Sequence, residues 1–202
     1  MGQGSGGRLG APNFAYASDL RQHRGRVARI APDVRHAVGV RIVRVGEDAW
    51  RAVREVRLRA LHESPDSFGP TSGREDRFTE AHWRMRLRAT PTWLAIDELG
   101  VPRGMVSLIQ EPGSPTDDRH LVSLWVAPEV RRRGIGWALV EAARDQAFLD
   151  GARTLSLWVL DGNTPAGDLY VRAGFRRTGV RQRLPRDAAL VEERYELLLV
   201  AP

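Results

Sequence analysis

Val40, Ile42, Val43 and Val45 bring apolar side chains into a short run that reads as a strand. Glu47 and Asp48 then open a helix that sets Trp50, Val53, Val56, Leu58 and Leu61 largely on one face. The segment "SPDSFGPTSG" is turn chemistry, and after it Phe78, Trp83, Met85 and Leu87 mark a second short helix that ends at the Thr90-Pro91 step. "TWLAID" and "GMVSLIQ", parted by the turn-forming "ELGVPR", read as two antiparallel strands, and a third follows at residues 121–126. Residues 134–149 read as a helix with Leu139, Ala142, Ala143 and Gln146 inward. "TLSLWVL" is a strand, 166–173 a helix, and two strands at 175–183 and 191–199 close the chain. The order βαα, βββ, αβα, ββ predicts an α/β (α+β) fold: a mixed, mostly antiparallel twisted sheet of six to seven strands with about four flanking helices.

Residues 1–39 show neither period. They begin "MGQGSGG" and continue with scattered Gly, Arg and Ala, so they read as a Gly/Arg-rich extension, with a short docking helix from Ser18 as a variant of that reading. Residues 40–202 are then the folded domain. Gly6 stands where a myristoylation signal needs Ser or Thr, and the start lacks the features of a signal peptide.

Composition narrows the function. The chain has 202 residues, 42% of them hydrophobic and 28% charged, which suits one globular domain with an extension. It has no Cys, which excludes disulfides, thiolate metal sites and cysteine nucleophiles. Five His without helical ligand spacing predict no metal. No window approaches a membrane span, and a cytoplasmic protein is the simplest expectation. The net charge of +6 comes from 31 basic residues, every one Arg, spread along the chain. That spread favours an anionic small-molecule partner over nucleic acid, whose binding would weaken steeply with salt.

The chemistry is carried by two segments. The strand "LVSLWV" runs into "APEVRRRGIGWALVEAA", an R-x-x-G-x-G turn of Arg131, Gly134 and Gly136 that opens a helix. Amides at a helix start lack intrahelical acceptors and sit at the positive end of the dipole, so they suit a diphosphate. Gly lets that diphosphate approach the backbone, and Arg131 to Arg133 add charge beside it. The turn lacks the Gly order of dinucleotide-binding loops and the G-K-[ST] ending of Walker loops; taken alone it equally describes a solvated basic turn.

The second segment is "DGNTPAGDLYVRAGF", with Asn163 as a helix cap and Pro165 in the first turn. Ala166, Leu169 and Ala173 share a face, and Tyr170 projects beside it. On its own Tyr170 reads as a half-buried aromatic anchor.

Taken together, "LWVAPEVRRRGIG" and "NTPAGDLYVRAGF" resemble the two sequential motifs of the GNAT N-acetyltransferase superfamily, over roughly residues 121–176. The resemblance implies a GNAT-like acyl-CoA N-acyltransferase fold, with the sheet splayed between the strands ending at Val126 and near Val159. It implies acetyl-CoA as co-substrate and no metal. By carry-over, the main chain of Leu124, Trp125 and Val126 pairs with the pantetheine arm. Arg131, Arg132, Arg133, Gly134, Ile135 and Gly136 hold the pyrophosphate, and Asn163 contacts the arm. Tyr170 becomes the general acid to the departing thiolate, which a phenol protonated at neutral pH can serve.

The attacking group would be a neutral amine, whose proton needs an acceptor. The ribosomal-protein branch of the family often carries Glu five residues before the motif Asn, where this chain has Trp158. Glu111, Asp117, Asp118 and His120 lie nearby in sequence, each as easily a solvated loop residue. Glu63, Asp66, Phe68, Trp83 and Glu192 could meet a cationic amine. The expected function is a bacterial N-acetyltransferase acting on a small-molecule primary amine. Alternatives are a protein N-terminal or side-chain acetyltransferase and a non-catalytic acetyl-CoA-binding module. A homodimer through "YELLLV" is left open.

Overall fold

The computed structural model describes residues 35–37, 39–65, 72–184 and 187–199. The Gly/Arg-rich leader up to residue 34, the docking helix from Ser18, and Asp66 and Phe68 lie outside the described residues. The chain runs β1 (Arg35–Ala37), β2 (Val40–Val45), a 3-10 turn (Glu47–Ala49), α1 (Trp50–Glu63), the single turn α2 (Ser72–Glu75) and α3 (Glu80–Ala89). Then follow β3 (Thr92–Asp97), β4 (Pro102–Ile109), β5 (Asp118–Val126), a 3-10 turn (Pro128–Val130) and α4 (Ile135–Leu149). β6 (Thr154–Leu160), α5 (Thr164–Arg172), β7 (Arg176–Leu184) and β8 (Asp187–Leu198) complete it.

One sheet takes all the strands in the order β1-β2-β3-β4-β5-β6-β8-β7. Every pairing is antiparallel except β5 with β6. This is the mixed, mostly antiparallel sheet that the element order predicts. Its eighth strand is the three-residue β1, which pairs with β2 ahead of Val40, where the hydrophobic pattern begins.

The apolar runs in β3 and β4 arise because helices cover both faces of the sheet. Trp93, Ala95, Val106 and Leu108 face a core shared with Leu139 and Ala143 of α4 and with Tyr170 and Phe175. Leu94, Ile96 and Met105 point the other way, into a core with Val53, Val56 and Leu61 of α1 and Trp83 and Leu87 of α3. Alternate residues of one strand thus serve two cores. Fully covered side chains such as Leu94 and Leu139 each contribute roughly 1.5–3 kcal/mol by the area they remove from water. Met85 sits 59% exposed on the outer face of α3, away from both cores.

The feature that shapes the site is in β5. Its pairing with β4 slips by one residue between Met105↔Trp125 and Ser107↔Val122, which puts an extra residue on β5. Ser123 absorbs it with φ at 61°, a left-handed conformation rare for a non-glycine residue. On the other edge, β5 pairs with β6 only from Asp118 to His120, against Thr154 to Ser156. Beyond His120 the two strands part.

Gly104 on β4 faces this bend from the other side. A Cβ there would lie 2.8 Å from the carbonyl oxygen of Trp125, a main-chain atom with no freedom to yield. The arginine surplus is largely tied down within the fold: Arg57 pairs with Glu75, Arg103 with Asp97 and Glu129, Arg144 with Glu141, and Arg194 with Glu111, Asp118 and Glu196.

Candidate active site

The turn after β5 is built as a helix mouth. Gly134 is the N-cap of α4 with φ at 79° and has no side-chain cap, and Arg132 before it is also left-handed at φ 65°. The first main-chain bond of the helix runs from the Ala138 N–H to Gly134 O at 3.0 Å, so the preceding amides open outward. A Cβ on Gly134 would meet nothing within 4 Å; what favours glycine there is the backbone conformation and the room left in front of it. Gly136 differs: its Cβ would lie 3.2 Å from Leu169 Cδ2, where α4 and α5 pack closely.

In front of this mouth lies a cleft of about 640 Å³. Of the residues expected to bind the cofactor, it is lined by Leu124, Trp125, Val126, Arg131, Arg132, Gly134, Ile135, Gly136 and Asn163. Arg133 is exposed and does not line it. The Arg131 guanidinium is turned back onto the protein, with Nε donating to Val126 O at 2.9 Å and Nη2 to Glu63 Oε2 at 2.8 Å. Glu63, one of the residues suggested for the amine, therefore serves the other side of the site. It accepts from Trp125 Nε1 at 3.0 Å as well and fastens the end of α1 to β5 and the turn. Burial raises the Glu63 carboxyl, but bonds from Ser64, Trp125 and Arg131 outweigh it and leave the group below its ordinary range.

Asn163 caps α5, its Oδ1 accepting from the Ala166 N–H at 3.3 Å, and Pro165 occupies the first turn. One helical turn further on, Tyr170 is 6% exposed and packs edge-on against Phe175 with centroids 5.6 Å apart. Burial pushes its phenol above the ordinary value, so it is protonated at neutral pH. Its hydroxyl makes no hydrogen bond among the described residues.

Tyr170 does not line the first cleft but a second cavity, of about 410 Å³, and the two share Leu124, Asn163 and Ala166. This second space is where β5 and β6 part, and its charged residues come from distant parts of the chain. His120 and Asp118, which sequence alone reads as loop residues, lie in β5 and are buried, at 4% and 1% exposure.

A fixed network surrounds them. Arg194 of β8 donates to Glu111 Oε2 at 2.7 Å and to Asp118 Oδ2 at 2.8 Å. Trp158 Nε1 donates to Glu111 Oε1 at 2.9 Å. Ser156 Oγ donates to Asp118 Oδ2 at 2.8 Å and lies 2.9 Å from His120 Nδ1. With the serine proton given to Asp118, Nδ1 must carry the hydrogen of that contact, and Glu111 Oε2 at 3.7 Å favours a proton there too. The free lone pair of the ring then belongs to Nε2. Burial holds the imidazole pKa below its ordinary value, helped by Arg194 and opposed by Glu111 and Asp118, so the ring is neutral at pH 7.

Glu192, also in this cavity, has its carboxyl raised by burial and by Glu111, against a bond from Gln182. Trp83 is fully buried in the core under α1 and is not part of the cavity lining. The bulge at Ser123 and Arg194, which gathers Glu111 and Asp118 into one network, were the parts of the site that sequence reasoning missed. The available signal was Ser156, a polar residue inside the apolar run of β6; Arg194 stands among Glu192, Glu193 and Glu196 and gave none.

Comparison with known proteins agrees with this geometry. The chain belongs to the Acetyltransferase (GNAT) family, whose profile matches residues 56–175. It is 32% identical over 161 residues to a mycothiol acetyltransferase of Salinispora arenicola, covering 72% of this chain and 47% of that protein. It is 34% identical over 93 residues to the peptidyl-lysine N-acetyltransferase YjaB of Salmonella typhimurium, covering 46% and 55%. The chain spans about half the length of the curated relatives it matches. Among solved structures, a GNAT-family acetyltransferase from Streptococcus pneumoniae shares the fold with a TM-score of 0.68 at 20% identity, covering 80% of this chain and 99% of that one. The ribosomal-protein-S5-alanine acetyltransferase of Vibrio fischeri does so with a TM-score of 0.67 at 14% identity, covering 82% and 96%. No group of three or more His, Asp or Glu among the described residues is arranged to hold a metal ion. No described helix is long and apolar enough to cross a membrane.

Proposed function

We propose that the chain transfers the acetyl group of acetyl-CoA to a primary amine of a small molecule by direct attack, with Tyr170 as general acid and His120 as proton acceptor. The observation that carries this reading is the meeting of the two cavities at Leu124, Asn163 and Ala166, between the helix mouth and Tyr170. The first cleft takes the coenzyme, with its diphosphate at the outward amides of the turn and its arm along β5 toward the gap.

In the second cavity the amine nitrogen attacks the thioester carbon. The nitrogen–carbon bond forms as the carbon–sulfur bond breaks, and the Tyr170 phenol gives its proton to the leaving sulfur. The amine proton passes to His120 Nε2, and solvent then restores both side chains. Between His120 and Val126 the β6-facing edge of β5 has no ladder partner among the described residues, so its amides are available to the developing oxyanion.

Relatives named for mycothiol and for peptidyl-lysine differ in their acceptors, so the acceptor class is read from the cavity instead. A cavity of about 410 Å³ suits a small molecule better than a folded protein surface. The test is thiol release from acetyl-CoA across a panel of primary amines, with small amines turned over and peptide amines not. Thiol release with peptides alone would move the assignment to protein acetylation. Tight coenzyme binding without any thiol release would make the chain a binding module.

A further inference from the structure

The transfer step uses one end of the second cavity, but the cavity carries charge at both. Its floor is β5 and β6, and Glu192 of β8 stands at one wall, beyond β6 in the sheet order. At the other wall, over β4 and β5, Arg57 of α1 and Arg86 of α3 reach the lining. Glu192 pairs with Leu160, four residues beyond the Ser156 level of His120, so it flanks the gap between β5 and β6 from the β8 side, and the two guanidiniums flank it from the other.

The two arginines are held differently. Arg57 is 2% exposed and grips Glu75 with both Nε and Nη2, at 3.0 to 3.3 Å. Arg86 reaches the same carboxylate through Nη1 alone, at 3.1 Å, and its side chain is 29% exposed. Its Cζ lies over the Trp83 ring, 5.7 Å from the centroid, so the charge is backed by an aromatic face. A guanidinium has five N–H donors, and among the described residues Arg86 directs one of them to an acceptor. Partly desolvated, backed by an aromatic ring and opening on a cavity, it is suited to a paired-oxygen anion.

We infer that the acceptor is an amine that also carries an anionic oxygen group, a carboxylate or its phosphonate analogue, seated against Arg86 while the amine lies toward His120 and Glu192. The inference rests on the second cavity being the acceptor site of the proposed transfer. An amino-carboxylate matches the cavity's charges end for end. A plain alkylamine would leave Arg86 facing water or an apolar chain, and a polyamine would set a second cation against it.

Isothermal titration of the CoA-saturated protein tests this without any turnover. The probes are ω-amino acids from glycine to 6-aminohexanoate, each against its carboxamide, with 3-aminopropylphosphonate as the other anion. At least one amino acid, or the phosphonate, is expected to bind tenfold or more tighter than its neutral counterpart. Arg86→Gln should cut that ratio at least fivefold, and Arg86→Lys, which keeps the charge, should retain most of it. Carboxamides binding as well as the acids at every length would overturn the inference, as would an unchanged ratio in Arg86→Gln or no binding by any probe. A melting curve for each variant separates a lost subsite from a lost fold. Should CoA itself fail to bind, the transfer reading fails, while the same titrations on the free protein still report the anion preference.

Discussion

The two cavities that meet at Leu124 are made in opposite ways. The first cleft, proposed for the coenzyme, takes its chemistry from the main chain: outward amides at the mouth of α4, a left-handed Gly134, and an edge of β5 unpaired among the described residues. The second cavity, proposed for the acceptor, takes its chemistry from side chains of β5, β6, β8, α1 and α3, backed by ion pairs behind its lining. A main-chain site tolerates change in most side chains but not in backbone conformation, whereas a side-chain site loses its ionic balance with any one member. That difference predicts where each half breaks.

The largest effect should come from the side-chain half. Arg194 holds Glu111 and Asp118 at once, and its removal leaves Asp118, 1% exposed, with two hydroxyl donors and no cation. Arg194→Met is expected to lower stability by about 3 kcal/mol, the scale of an uncompensated buried charge. Chemical denaturation at pH 7 measures it. A change under about 1 kcal/mol would mean that water reaches Asp118 and that the network is solvated.

Next is the main-chain half. Gly134→Asp puts a β-carbon on a residue at φ 79° and a carboxylate where the diphosphate charge is expected. Acetyl-CoA affinity should fall at least a hundredfold, roughly 3 kcal/mol, and the left-handed backbone should cost the folded state a further step of about 1 kcal/mol; no steric clash adds to it, because that Cβ would touch no protein atom within 4 Å. Calorimetry giving the wild-type affinity would detach the diphosphate from the turn.

Between the halves stands Tyr170. Tyr170→Phe keeps the edge-on contact with Phe175 and removes the one proton donor assigned to the leaving sulfur. Turnover should drop at least tenfold, about 1.4 kcal/mol, with acetyl-CoA affinity nearly unchanged. Unaltered turnover at saturating substrates would remove the phenol from the acid role.

The same contrast decides what could be read from the sequence. Both motif segments were legible because their requirements are local: the strand, the glycine turn, the cap at Asn163 and Tyr170 about two turns beyond it sit within one stretch of chain. The sheet was legible from alternation and apolar runs, except for β1, three residues with no pattern to announce them. The bulge was not, because Ser123 carries a left-handed backbone without the glycine that would signal it. The ionic network behind the second cavity was not, because Arg194 and Glu111 stand 83 positions apart and meet only once β8 has paired with β6. His120 looked like the end of a polar loop because "DDRH" precedes the apolar run. In the fold the strand starts at Asp118, and its pairing with β6 buries those side chains.

The smallest effect gives the sharpest reading of the side-chain half, through His120. His120→Asn keeps a nitrogen donor near the Nδ1 position for Ser156 and deletes Nε2. If Nε2 takes the amine proton, turnover should fall about fivefold, since water can carry part of the load. The acid limb of the wild-type kcat profile, centred below 6.5 because burial depresses the imidazole, should also vanish. Stability should move with the same group. The unfolded chain protonates this histidine near 6.5 and the folded chain only at lower pH, so between those values the unfolded state binds more protons and stability falls as the pH falls. Glu63, Glu75 and Glu111, held below 4.5, act in the same direction only under more acid conditions, and Glu192, held above 4.5, acts in the opposite one. The difference between wild type and His120→Asn from pH 7 to 5.5 isolates the imidazole, with the wild type losing up to about 1 kcal/mol more than the variant. Equal losses would mean that His120 titrates as freely in the fold as out of it. The ring would then be reached by water, and a neutral base held ready by burial would no longer describe this end of the cavity.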